Sequence, residues 1–558
     1  YGTGWKQIII GIQNNKVKAF NNNFKKFRTG MQVIKDKKKN DTERGKICST
    51  LLNRLFQVSA LILIFLFIIS CSKQSEKKKR PNILFIAVDD LRPELNCYGE
   101  NHIISPNIDR LAEKGVLFQH AYCQQAICMA SRASLFSGYY PTANHIYSCG
   151  SLEELMPDAV TLNEFFSNAG YKVSGIGKLY HHKEDHIEQF KDDWLETQRM
   201  AKGETRGRGY ITPEAIAQLT PKGRGPAWEM ADVEDNEYRD GYYADWAVKK
   251  LKQLKDAENP FFLGVGFQKP HLPFNAPKKY WDMYQPEQIE TEKNSFYPEN
   301  GSDFGKHNFG ELRNYTNIPK GDTTLTTETE KKLIHGYYAC VSYIDAQIGK
   351  VLDALEDNGL RENTIVILWG DHGWKLGEHG MWCKHTNFEL DTRVPFIISA
   401  PGMKSNTKTT AFAEFVDIYP TLADLCGLEI PKQLHGNSLV PVLKKPSGRV
   451  KNQAYSIWPS YRAPRTDPEK AILGISVRTE KFRYTEWIHF KSGELLDKEL
   501  YDHQKDPAEN KNVINDQTYA DKLPELEKLI EQYFKENATL TPASGADAPK
   551  SDFLSVIW

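Results

Sequence analysis

Four apolar runs that each stop at a polar group constrain this chain more than any other feature. Pro81 to Val88 ends at Asp89-Asp90, and Thr364 to Gly370 ends at Asp371-His372. Pro260 to Phe267 runs into Gln268-Lys269-Pro270-His271, and Tyr171 to Gly177 runs into Lys178, with His181 three residues on. Runs without polar alternation predict strands buried on both faces, as in a parallel sheet covered by helices. Open sheets of that kind hold their ligands at the carboxyl ends of the strands. Four strands are therefore expected to bring carboxylates, imidazoles and ammonium groups together.

Helical segments separate these runs. The clearest extends from about Glu328 to Leu355, with Leu333, Tyr337, Val341, Ile344, Ile348 and Leu352 at helical spacing and Asn358-Gly359 as the stop. Alternating strands and helices predict an α/β fold with a large, mostly parallel central sheet and helices on both faces, over residues 81–450. Beyond residue 450 the segments shorten. Ala471 to Val477, Phe482 to Trp487 and a charged helix near Leu523 to Phe534 predict a smaller α+β subdomain with an antiparallel sheet over 451–558. The length, 558 residues, suits two or three units of ordinary domain size.

The beginning of the chain reads differently. Val58 to Ile69 is almost wholly apolar, follows Lys46 and Arg54, and ends in Ser70-Cys71. It is too short to cross a bilayer comfortably but suits the core of an export signal. Its end resembles a bacterial lipobox, which implies a lipid anchor on Cys71 and an exported periplasmic or outer-membrane lipoprotein. The tract Lys77-Lys78-Lys79-Arg80 disfavours the rival reading of a buried core helix. Residues 1–71 are thus an upstream extension plus signal peptide, and 72–80 a linker. Lysine plus arginine equals aspartate plus glutamate at 72 each, so no global field points to nucleic acid, and an anionic substrate needs a local basic cluster. Seven of the nine cysteines lie in the body, at spacings that match no zinc knuckle; one or two disulfides are compatible with them.

Asp89, Asp90 and Asp371 around one point would repel one another unless a cation were held there, and oxygen ligands favour a hard ion such as calcium or magnesium. Taken singly, each strand-end aspartate is as readily a helix cap or turn former. Cys128-Met129-Ala130-Ser131-Arg132 tips the balance. A cysteine, a small residue two later and an arginine four later resemble the modification signature of the type I sulfatases. In that family a dedicated maturation enzyme oxidises the cysteine to formylglycine. Many relatives have proline where Ala130 stands, and the family tolerates alanine.

The resemblance implies an alkaline phosphatase-like fold and a sulfuric ester hydrolase. It carries Asp89, Asp90, Asp371 and His372 over as metal ligands, with the side chain derived from Cys128 completing the shell. Arg132, Lys178 and Lys384 correspond to the basic residues that hold formylglycine and sulfate, and Lys269 is a further candidate. His271 corresponds to the general acid and His181 to a group assisting sulfate elimination; these roles are exchangeable on sequence grounds and could be shared with Lys384. Gln268 to Phe274 and Asp371 to Lys384 resemble the iduronate-2-sulfatase branch most. A sulfated oligosaccharide follows as the expected substrate, with the 2-O-sulfate of a uronic acid in glycosaminoglycan or similar polysaccharide as the expected ester. Trp374 is a candidate sugar-facing ring, with a core tryptophan as the equal alternative. Two rival functions stand beside this one: a phosphoester hydrolase of the alkaline phosphatase superfamily, and a non-catalytic glycan-binding lipoprotein in which Cys128 stays a thiol.

Overall fold

The computed structural model describes residues 80–147, 150–182, 185–190, 209–321, 323–463 and 469–537. The segment ending in Cys71 and the preceding apolar run lie outside the described residues. From Arg80 onward the chain forms one compact unit.

The main sheet has seven strands: β1 (Asn82–Val88), β2 (Val116–Tyr122), β3 (Lys172–Gly177), β4 (Phe261–Phe267), β5 (Thr364–Gly370), β6 (Phe396–Ser399) and β7 (Thr407–Glu414). Their order is β7-β2-β6-β5-β1-β4-β3. Only β6 is antiparallel to its neighbours. The four apolar runs are thus β5, β1, β4 and β3, side by side and all parallel. β1, β4 and β5 are buried at every position, as their unbroken apolar sequence requires.

Register aligns the strand ends. Val88 pairs with both Phe267 and Gly370, and Gly177 pairs with Gly266. The ladder continues one step past each strand: Asp89 N donates to Phe267 O at 3.1 Å, Asp371 N to Val88 O at 3.1 Å, and Lys178 N to Gly266 O at 2.8 Å. The first polar residue after each of these three strands is therefore pinned by backbone. At β3 this needs a glycine: Gly177 has φ +78°, and a Cβ there would lie 2.0 Å from Gly266 O.

Helices cover both faces. Helix α1 (Cys128–Ser137) is buried throughout, α2 (Arg239–Leu254) packs beside β4, and α3 (Thr327–Asp357) is capped by Thr326, whose hydroxyl accepts from Thr329 N. Past Asn358, Gly359 turns left-handed at φ +66° and ends α3.

The second sheet is antiparallel, with order β8 (Gln453–Pro459), β9 (Ile472–Thr479), β10 (Phe482–His489) and β11 (Leu495–Asp502), and α4 (Leu523–Asn537) packs on it. Buried ion pairs join it to the chain just after Lys384. Glu389 accepts from Arg478 Nε at 3.0 Å and Arg483 Nη2 at 2.6 Å, and Glu509 accepts from Arg483 Nε at 2.6 Å. Cys97, Cys123, Cys128, Cys340, Cys383 and Cys426 are all free thiols, so the disulfides that their number allowed are not formed among the described residues.

Candidate active site

Helix α1 begins at Cys128 and aims its first turn at the strand ends. Cys128 and Arg132, four residues apart, share one helical face. The Arg132 guanidinium is 1% exposed and ties three strand ends together. It donates to Asp371 Oδ2 at 3.0 Å, Asp89 Oδ1 at 3.1 Å and Leu179 O at 2.9 Å, and also to Lys178 O. Ser131 Oγ adds a hydrogen bond to Asp371 O at 2.5 Å. The C-x-x-x-R spacing thus locks the helix start against β1, β3 and β5.

Cys128 Sγ lies 3.2 Å from His372 Nε2 and 4.0 Å from Asp90 Oδ1. Asp90 stands in the left-handed region at φ 61°, and its N–H donates to Asp371 Oδ1 at 2.9 Å. Lys384 Nζ spans both Asp90 oxygens at 2.9 and 3.0 Å and reaches Glu311 Oε2 at 3.1 Å. The residues on either side of Lys384, Cys383 and His385, also have left-handed backbone, at φ 73° and φ 88°. On the opposite flank Lys178 Nζ lies 3.4 Å from Asp89 Oδ2. Two ammonium groups and a guanidinium therefore face the carboxylates around one cysteine.

The cluster can hold a metal ion: Asp89, Asp90, Cys128 and His372 are all buried, and each offers a ligand atom within 4.8 Å of the others. Its carboxylate oxygens suit a hard cation, and an oxygen in place of the Cys128 sulfur would suit it further. His372 Nδ1 donates to Gly373 O at 2.9 Å, which fixes the ring's orientation. Nε2 faces Asp90 Oδ1 at 3.2 Å and Asp371 Oδ1 at 3.6 Å, so it is the nitrogen placed to meet a metal ion. Burial, with Asp89 and Glu311 adding negative charge, pushes Asp90 up to about 7 against the pull of Lys384 and His372. A bound cation would relieve that stress.

Against this geometry, two family profiles match the sequence: Sulfatase over residues 81–428, and N-sulphoglucosamine sulphohydrolase, C-terminal, over residues 377–536. The first spans well over half the chain. The chain belongs to the sulfatase family. The mouse (Mus musculus) protein named iduronate 2-sulfatase is 30% identical, covering 80% of this chain and 93% of its own length. A sulfatase from Formosa agariphila is also 30% identical, over 86% and 92%. Among solved structures, a 2-O GAG sulfatase superposes with a TM-score of 0.63 at 24% identity, covering 82% of this chain and 93% of that one. A phosphonate monoester hydrolase from Silicibacter pomeroyi gives 0.66 at 23%, over 82% and 96%. The fold is therefore alkaline phosphatase-like, and the protein is a type I sulfatase, a sulfuric ester hydrolase.

In this sulfatase the strand ends gather Asp89, Asp90, Asp371, His372, Lys178 and His271 around Cys128, with Arg132 and Lys384 reaching in from α1 and from the chain beyond Trp382–Cys383. His181 sits exposed at the rim beyond Lys178, its ring edge-on to His182. Two residues expected at the substrate are turned elsewhere. Lys269 Nζ donates to His271 O at 2.8 Å and Pro273 O at 2.7 Å, so it braces the His271 loop and does not reach toward sulfate. Trp374 is 1% exposed and stacks on Tyr337 beneath Lys384, which makes it core and not a sugar platform.

Glu311 has no counterpart in the sequence reading. It is buried on the short helix Gly310–Arg313, bridges Lys384 to His271 Nε2 (3.1 Å), and is held well below the carboxylate range by the Lys384 ammonium and the His271 contact against the upward push of burial. No local pattern marks it: a single glutamate in an aperiodic stretch is ordinarily a solvated surface group. His271 also differs from expectation. Burial and the Lys384 ammonium push it down to about 4, although its nitrogens face two acceptors, Leu272 O at 2.6 Å and Glu311 Oε1 at 3.1 Å. Its proton therefore depends on how far Glu311 offsets burial and the Lys384 ammonium.

Proposed function

We propose that this sulfatase cleaves the 2-O-sulfate of a uronic acid unit in glycosaminoglycan or a comparable polysaccharide. Its nucleophile is formylglycine made from Cys128 by a maturation enzyme, and its metal is calcium or magnesium held by Asp89, Asp90, Asp371 and His372. The state of Cys128 carries this reading. Burial, with Asp89 beside it, pushes the thiol well above its ordinary pKa, so the encoded side chain is a neutral thiol at pH 7 and a poor nucleophile. A site built around that atom works only if its chemistry is changed. Oxidation to the aldehyde, followed by hydration, puts a hydroxyl where Sγ stands, within reach of His372 and Asp90.

One hydroxyl of the hydrate attacks sulfur in line and the sugar alcohol leaves; the second hydroxyl then expels sulfate and restores the aldehyde. When bound, the metal lowers the pKa of a coordinated hydroxyl and neutralises charge developing on sulfate. Lys178 and Lys384 flank the nucleophile and meet the sulfate oxygens. An ester anion against Lys384 weakens the push that this ammonium exerts on His271, leaving Glu311 to offset burial. The imidazole then holds a proton between Leu272 O and Glu311, ready for the departing alkoxide. His181, at the rim, assists elimination of sulfate.

Support for the 2-O position is the likeness to proteins named iduronate 2-sulfatase, at about 30% identity over most of their length. Export and anchoring through Cys71 belong to the same proposal; Cys71→Ala should move the protein from the membrane fraction to the soluble one. The function is tested with oligosaccharides differing only in sulfate position and with matched phosphate esters. Preferred release of 2-O-sulfate is expected. Faster phosphate release would replace the reading with phosphoester hydrolysis, and preference for another position would move the ester.

A further inference from the structure

Beyond the catalytic cluster lies a cavity of about 600 Å³, a size usual for small-molecule sites. It shares two walls with the active site. The helix Gly310–Arg313 turns Glu311 into the catalytic cluster while Phe309 and Arg313 border the cavity. The segment Met381–Trp382 borders the cavity, and Lys384, two residues later, binds Asp90. The cavity and the catalytic cluster are therefore neighbours across these two segments.

The lining has a definite charge. Lys306, Arg313 and Arg462 contribute three cations, and Glu330 is the one carboxylate among its described lining residues. Arg313 is engaged by backbone, donating to the carbonyls of Asn308, Pro319 and Thr323. Lys306 and Arg462 are placed differently. Lys306 pairs with the exposed Asp303 outside the lining and lies over the Tyr297 ring, while the exposed Arg462 acts on the same carboxylate from further off, so among the described residues two cations share one carboxylate there. Beside them two rings of the lining stand together, Tyr461 and His307, 5.7 Å apart between centroids, with the buried Trp458 behind Tyr461. Ring faces next to unbalanced cations suit an anionic carbohydrate, whose C–H faces stack on aromatics while its acidic group meets the charges. The uncharged faces of a simple aryl ester would gain nothing from Lys306 or Arg462.

We propose that this cavity is a second saccharide subsite, taking the sugar next to the one whose sulfate is cleaved, with Lys306 and Arg462 binding an anionic group, carboxylate or sulfate, on that neighbour. The proposal rests on the saccharide reading above and gives it a specificity determinant. Three substrates sharing the same sulfated sugar, with a neutral, a carboxylated or a sulfated neighbour, test it alongside 4-nitrophenyl sulfate. The native protein should show the lowest KM for one or both charged neighbours, and the two charged arms separate carboxylate from sulfate. Arg462→Ala and Lys306→Ala should each raise KM for the charged-neighbour substrate about tenfold, the loss of one charge-assisted hydrogen bond. kcat, the neutral-neighbour substrate and the aryl sulfate should stay within about twofold in the same variants, as expected for residues outside the chemistry. Equal effects on charged and neutral neighbours, or none on either, would overturn the subsite. Calorimetric titration with the charged-neighbour saccharide lacking the scissile sulfate reports on the cavity without turnover. Weaker binding in Arg462→Ala supports the subsite even if the aryl sulfate is not hydrolysed, a result that would count against the sulfatase chemistry alone; unchanged binding contradicts the subsite.

Discussion

Cys128 is useful to this protein only because of what surrounds it. The residue is buried, begins a helix, touches His372 and Asp90, and is kept from ionising by Asp89 and burial. Cys128→Ala should therefore abolish sulfate release while leaving the melting temperature nearly unchanged, read by paired activity and thermal-denaturation assays. At the same scale, His271 is assigned the proton that the leaving alkoxide takes up. His271→Ala should lower kcat on a sugar sulfate by about 10²–10⁴-fold, and much less on 4-nitrophenyl sulfate, whose leaving group needs no proton. Equal losses on both would make His271 a structural residue. The residue scale is also where sequence reading was weakest. Lys269 and Trp374 stand in the right segments, yet one ammonium turns to two backbone carbonyls and one ring turns into the core. Side-chain direction after a strand end is set by tertiary packing, which a motif does not encode. Glu311 was invisible for the related reason that its partners, Lys384 and His271, are distant in the chain.

The elements were far more legible. Continuous apolar runs marked the four parallel strands and the polar residues at their ends, because burial on both faces leaves a mark along the strand, whereas their order in the sheet came only from the structure. What the runs do not show is level register, which depends on ladder geometry such as the Gly177 and Gly266 approach. Gly177→Ala places a methyl group 2.0 Å from Gly266 O in a left-handed backbone. It should cost more than the ~1–2 kcal/mol of the conformational penalty alone, and should displace Lys178, lowering activity in the fraction that folds. The second sheet depends on a different device. Arg483→Ala removes the cation that Glu389 and Glu509 share, leaving Glu389 with Arg478 and Glu509 with His503, and should destabilise the protein by about 1.5–3 kcal/mol in chemical denaturation.

For the whole molecule, the balance of charge at the strand ends links metal, pH and stability. Burial, with Asp89 and Glu311 nearby, holds Asp90 up to about 7. Its unfolded value is about 3.9, so between roughly pH 4 and 7 the folded chain keeps a proton that the unfolded chain has lost. Asp90 therefore contributes a fall in stability as pH rises through that window, while His271, held down to about 4, contributes a rise, so the Asp90 part is the difference between chelator-treated native protein and Asp90→Asn. The stability advantage of the native protein over Asp90→Asn should shrink as pH rises from about 4 to 7, and calcium or magnesium, replacing the proton as the partner of the carboxylate, should remove that pH dependence; melting temperatures across the window check both. The account rests above all on the conversion of Cys128, and mass spectrometry of the peptide containing it, from protein produced with its maturation enzyme and active on sulfate esters, tests this most directly. Formylglycine makes that peptide about 18 Da lighter than the encoded cysteine, one sulfur exchanged for oxygen with oxidation. A peptide at the unmodified mass in a preparation with full sulfatase activity would contradict it.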